Sequence, residues 1–204
     1  MNFFDVPEVT ISDDFKQDLI YRFYEETYDE ISSVSRPIYS CIMNDRSFWK
    51  ELDDQFINPP WMWLVTFIAA GTQVQLHVDY NPPEEWVKES DYVKNYLSDK
   101  PKPNPYLTEA LEGPDGEKIQ KFMTERKTAI TIPMWPEGDD YVVCNYPESN
   151  DDQRGWSEHA YVLRPDVPHE VPMTKYDRFN VQGCYNYNIN DLYDIYTEGM
   201  LVKS

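Results

Sequence analysis

Three histidines, His77, His159 and His169, are the only imidazoles in a chain of 204 residues. His77 stands in Leu76-His77-Val78-Asp79, and on a strand residues two apart share a face. That spacing sets an imidazole beside a carboxylate, two members of a three-coordinate facial set. His169 follows Arg164-Pro165-Asp166-Val167-Pro168 in a turn between two strand candidates, and is the natural third member. A 2-His-1-carboxylate set leaves open positions on a six-coordinate metal, which non-haem Fe(II) oxygen chemistry requires. Further on, Arg178 opens another strand candidate, with Arg178, Asn180 and Gln182 on one face and Phe179 and Val181 on the other. A guanidinium aimed into a cavity is a bidentate clamp for a carboxylate. Ligands plus an internal carboxylate receptor describe an acidic cosubstrate that chelates the metal.

Spacing alone is not decisive. With 37 acidic residues in 204, a carboxylate two residues after one of three histidines arises by chance in roughly four sequences of ten. The residues also admit plainer roles. His77 and Asp79 form a buried structural pair, His169 caps a turn, or Arg178 serves as a surface ion-pair partner. His159 fits no partner spacing. The surrounding elements decide between these readings.

Strand signals dominate the middle and end of the chain. Trp61–Ala69 is aromatic and β-branched, Gly71-Thr72 forms a turn, and Gln73–Asp79 alternates polar with apolar residues. Thr128–Met134, Tyr141–Asn145, Ala160–Leu163 and Arg178–Tyr187 are further strands. The histidine–aspartate pair thus ends an alternating strand, and the second histidine lies between two more. Helices flank this block. Ser12 is placed to cap one through Phe15, Leu19, Phe23 and Tyr24, and a second spans about 45–56. Asn190 opens a third through Leu192, Tyr193 and Tyr196, which Gly199 stops. The expected fold is mainly β, a sandwich or barrel with helices packed outside. One domain spans 1–204: a helical support over 1–60, a β core over 61–187 and a C-terminal helix over 188–204. The insertion 81–127 within that core carries expected helices near 84–97 and 115–126, and lies where a lid or substrate loop would sit.

Composition narrows the function classes. Acids exceed bases 37 to 18, a net charge of −19, and such a surface repels phosphate backbones and anionic membranes. Neither nucleic acid nor membrane is an expected partner. The uncharged run from Gln55 to Val78 is long enough to span a bilayer, but its prolines and alternation read as strand, turn, strand. Cys41, Cys144 and Cys184 form no CxxC pair and are expected as buried thiols in a reducing compartment. With no basic leader at Met1–Phe15, a cytoplasmic location is the expectation.

His77-Val78-Asp79, then His169, then Arg178 resemble the signature of the Fe(II)/2-oxoglutarate-dependent dioxygenases. The flavour is that of the aspartyl/asparaginyl β-hydroxylases and prolyl hydroxylases. Ala70-Gly71-Thr72, the Ala129–Met134 strand and Asp166–Val171 look similar as well. The resemblance covers about 61–187, without the insertion. It implies a double-stranded β-helix, the cupin-like jelly roll. It further implies Fe(II) held by His77, Asp79 and His169, and 2-oxoglutarate clamped through its far carboxylate by Arg178. Asn180, and Thr66 or Thr131 on neighbouring strands, would add hydrogen bonds. Thr131 is a departure, since many relatives carry Asn in that strand. The implied reaction uses O2 to hydroxylate a protein side chain or small molecule, with succinate and CO2 as co-products. The rival is a non-catalytic cupin-like protein that binds a ligand or partner without turnover.

Overall fold

The computed structural model describes residues 1–34, 38–41, 47–77, 125–135, 142–147, 152–155, 159–173 and 175–203. The insertion helices expected within 81–127 lie outside these residues, apart from Glu125 and Arg126, as does Asp79.

Ten strands occupy the described residues: β1 (Phe3–Val6), β2 (Ile38–Cys41), β3 (Met62–Ile68), β4 (Val74–His77), β5 (Thr128–Trp135), β6 (Val142–Tyr146), β7 (Asp152–Gly155), β8 (Ala160–Leu163), β9 (His169–Val171) and β10 (Arg178–Tyr185). They form a six-stranded sheet in the order β1-β8-β5-β10-β3-β2 and a four-stranded sheet in the order β4-β9-β6-β7. Every described strand pairing is antiparallel. From β3 onward the chain passes back and forth between the sheets. The eight core strands fall into two interleaved sets of four, the strand order of a jelly roll, or double-stranded β-helix. The expected fold is therefore the observed one, with β1 and β2 extending the larger sheet at its two edges.

The pleat divides the large sheet chemically. Trp63, Val65 and Phe67 of β3, Ile130, Ile132 and Met134 of β5, and Phe179, Val181 and Tyr185 of β10 belong to one buried cluster. Helix α1 (Asp13–Val34) closes over this outer face with Phe15, Leu19 and Phe23. The Phe23 ring meets Phe179 at 5.4 Å, edge to face, the geometry aromatic quadrupoles favour. Ser12 caps α1 as expected: its Oγ accepts from Phe15 N at 3.2 Å. The opposite face of the same strands looks toward the small sheet. There Leu163 of β8 and Phe3 of β1 pack against Cys144, Tyr146 and Val167.

Three expectations need correction. The helical support expected over 1–60 also holds two strands, β1 and β2. Of the helix expected over 45–56, the described residues hold one turn, α2 (Lys50–Asp53). It stops because Phe56 pairs with Val202, and Ile57 N donates to Leu201 O at 3.0 Å. Helix α3 (Ile189–Thr197) is capped by Asn188 rather than Asn190, Asn188 accepting from the backbone N–H groups of Asn190 and Asp191. Its exit is as expected. Gly199 takes φ 71°, Gly199 N donates to Tyr196 O at 2.9 Å and Met200 N to Ile195 O at 3.0 Å, the paired bonds of a Schellman stop. No helix among the described residues is long and apolar enough to cross a membrane.

Two outcomes follow for stability. A Cβ on Gly183 would lie 2.5 Å from Pro60 Cγ, 2.6 Å from Trp63 Cζ3 and 2.9 Å from Ile130 Cγ2. Gly183→Ala should therefore cost about 1–3 kcal/mol by overpacking, seen as a lower urea midpoint at unchanged slope; an unchanged midpoint would contradict this packing. Tyr196 donates its hydroxyl to both Glu8 carboxylate oxygens at 3.0 Å. Desolvation, then that carboxylate, push its phenol from 10.0 up to about 12. The folded state thus holds this proton more tightly than the unfolded chain does. Its contribution is complete below pH 10.0 and is lost as pH rises towards about 12. Tyr196→Phe should flatten that alkaline limb of the stability profile, and a limb of unchanged steepness would show that another group sets it.

Candidate functional site

Four of the site residues expected from the sequence lie together on the inner face of the large sheet, on its central strands. In register, Asn180 of β10 opposes Thr66 of β3, and Thr131 of β5 opposes Gln182 of β10. Arg178 shares the face, opposite Ile68. Because Phe179 and Val181 are claimed by the outer core, the alternation of β10 turns Arg178, Asn180 and Gln182 inward. Arg178 is 1% exposed and Asn180 9%. A guanidinium does not deprotonate in a protein, so Arg178 is a full positive charge held inside the fold.

The histidines belong to the small sheet. His169 is not a turn residue, as its flanking prolines suggested, but the first residue of β9. It stands directly opposite His77 of β4 in an antiparallel pair. Alternate residues of a strand take alternate faces, and His169 takes one face of β9. The register shifts between Val74 and His77, a bulge of the sort that re-aims a strand end. The face in question is the inner one. Asn145 of β6 opposes Glu170, which leaves Tyr146 on the same face as His169, and their rings lie 5.9 Å apart. Tyr146 belongs to a buried cluster against which Leu163 and Phe3 of the other sheet pack, so this face looks into the space between the sheets.

The approach to His169 is tied down at several points. Arg164 pairs with Asp166 through two bonds, 2.9 and 3.0 Å, and Tyr146 donates its hydroxyl to Arg164 O at 3.0 Å. The His169 ring is 8% exposed, and its Nδ1 lies 2.9 Å from Val167 O. A carbonyl oxygen only accepts, so Nδ1 carries the proton and Nε2 keeps the lone pair. That is the tautomer a metal-ligating histidine uses, fixed by a backbone carbonyl. His169 thus offers one imidazole nitrogen of the kind that binds a divalent metal. Among the described residues no group of three histidine, cysteine or carboxylate side chains is gathered; the expected third ligand, Asp79, lies outside them.

Sequence reasoning missed two residues that shape this space. Tyr146 falls just past the expected end of its strand. Arg126 was assigned to an expected helix, but its Nη1 donates to Gln182 Oε1 at 3.5 Å. Cys144 and Cys184 are buried, as expected. Arg154 of β7 pairs with Asp5 and lies over the Tyr161 ring at 4.7 Å.

No protein-family model matches the sequence, and no curated protein matches it. Solved structures do. A viral collagen prolyl hydroxylase from Paramecium bursaria Chlorella virus-1, in complex with 2-oxoglutarate, is similar at 10% identity over 90% of this chain and 94% of that one, with TM-score 0.48. A Trichoplax adhaerens prolyl hydroxylase, bound to a peptide fragment of hypoxia inducible factor, is similar at 11% identity over 90% and 83%, TM-score 0.48. HygX from Streptomyces hygroscopicus, with nickel and 2-oxoglutarate bound, is similar at 10% identity over 92% and 84%, TM-score 0.44. Likeness at this level transfers no residue role, and the fold assignment rests on the strand order given above.

The tautomer is directly measurable. Long-range proton–nitrogen correlation spectra of the metal-free protein should show His169 protonated at Nδ1 with a lone pair on Nε2. A proton on Nε2 would remove the argument for His169 as a ligand.

Proposed function

We propose that the chain is a non-haem Fe(II)- and 2-oxoglutarate-dependent oxygenase that hydroxylates a protein side chain or small molecule. The observation that carries this reading is the register of β4 against β9. It sets His77 and His169 opposite each other, with the His169 lone pair on Nε2. Asp79, two residues beyond His77, completes the facial set as third ligand. Bound there, iron supplies the coupling of O2 reduction to decarboxylation of 2-oxoglutarate: one oxygen atom ends in succinate, the other in the product hydroxyl, and CO2 leaves.

The chain's own residues prepare that chemistry. The Val167 carbonyl fixes the His169 tautomer and the plane of its ring. Arg178 pairs with the cosubstrate's far carboxylate, a charge-assisted, two-pronged contact that selects a diacid over a monoacid. Asn180 and Thr66, opposed in register beside it, offer neutral hydrogen bonds to the same group, while Thr131, opposite Gln182, lies one inward position further along the face. Apolar residues around this row, Ile68, Leu64 and Met62, keep water out of it and strengthen the electrostatics. Asp79 as a carboxylate ligand fills the coordination position that a halogenating relative would leave to halide.

The purified protein should take up one ferrous ion under anaerobic conditions. It should release succinate from 2-oxoglutarate only when iron and O2 are both present. Asp79→Ala should abolish that release while the melting temperature holds, and Arg178→Met should raise KM for 2-oxoglutarate by about 10-fold or more, the loss of one charged hydrogen-bond pair. Metal uptake without succinate would mark a cupin-like binding protein instead. Undiminished turnover in Asp79→Ala would remove the metal site assigned above.

A further inference from the structure

A second arginine reaches the inner face from the other end of β10. Arg178 opens that strand. Arg126 lies beside its close, where Lys127 N donates to Tyr185 O at 2.9 Å. Arg126 is 3% exposed, and its Nη1 contacts Oε1 of Gln182 at 3.5 Å. Gln182 sits four residues along the face from Arg178, about 13 Å at strand rise. Thr131 opposes Gln182 on one side and Tyr161 on the other. It is 1% exposed, and its Oγ1 has no hydrogen-bond partner among the described residues. A buried hydroxyl left unmade is costly, and this one stands beside an amide and close to a guanidinium.

We propose that Arg126, Gln182 and Thr131 form an anion subsite that seats a carboxylate of the primary substrate, so that the enzyme acts on an acid. This rests on the oxygenase reading, in which Arg178 is already committed to the cosubstrate. The long-range field of a protein at −19 draws basic ligands toward the surface. Inside, Arg126 and Arg178 place a guanidinium near each end of β10, the group whose fork matches a carboxylate. Burial strengthens such a pairing, because charge–charge terms grow as the local dielectric falls.

Glutarate is a suitable probe, a diacid without the 2-oxo end, which reports on guanidinium sites with no metal present. Calorimetric titration of the full metal-free chain should give two equivalents. Arg126→Met should lose one of them and Arg178→Met the other. Arg126→Lys should keep both, and Thr131→Val should weaken the Arg126 equivalent by about threefold to tenfold. If Arg126→Met fails to fold, the Lys and Val variants carry the comparison. A single equivalent that survives Arg126→Met and disappears in Arg178→Met would overturn the subsite and leave the cosubstrate clamp standing. Equivalents lost only through Arg126 would uphold the subsite and overturn the role given to Arg178. No binding would overturn the subsite, while succinate release still judges the oxygenase reading on its own.

Discussion

The pleat of β10 is the constraint on which the rest of the molecule depends. One face of that strand must be apolar, because Phe179 and Val181 meet α1 and the outer core. The other face is then free to carry Arg178, Asn180 and Gln182 into the interior. As β10 lies between β5 and β3, both neighbours must follow the same division, and they do. Ile130 and Ile132 join the core while Thr131 turns inward; Val65 and Phe67 join it while Thr66 turns inward. Stability and ligand chemistry thus occupy opposite sides of one sheet, and the hydrophobic core sits mainly outside the jelly roll rather than within it. A fold arranged this way can keep buried charge in its interior because the free energy of burial is collected elsewhere.

The small sheet contributes geometry more than stability. Its buried cluster is modest, Cys144, Tyr146 and Val167 with two residues of the facing sheet. Its hydrogen bonds are concentrated where precision is needed: Tyr146 on Arg164 O, Arg164 on Asp166, Val167 O on the His169 ring, Asn145 on Glu170 at 2.8 Å. Such contacts hold a ring within the narrow angular range that ligation requires, at little cost in buried area.

How much of this the sequence discloses depends on element length. The eight residues of β10 and the seven of β3 are long enough for alternation to be read, and with it the inward placement of Arg178, Asn180 and Thr66. Strands of three or four residues, β1, β7 and β9, carry too few positions for any period, and prolines beside His169 read as a turn. Register is invisible to composition. The opposition of His77 and His169 is a tertiary fact, and a bulge before His77 shifts it by one residue. The misplaced cap of α3 has a local cause: Asn188 and Asn190 are chemically equal candidates two residues apart, and only backbone geometry separates them. Arg126 was hidden because its side chain acts across a strand boundary that periodicity does not mark.

The position of β10 has a kinetic corollary. It is the last of the ten strands along the chain and yet the hydrogen-bonding partner of both β3 and β5, so each of them lacks its second neighbour until β10 is in place. Assembly is dominated by contacts distant in sequence, the regime in which loop closure precedes any reward and folding is slow. Until β10 arrives, β3 is paired only with β2 and its other edge stays open, an exposure that favours association with other chains.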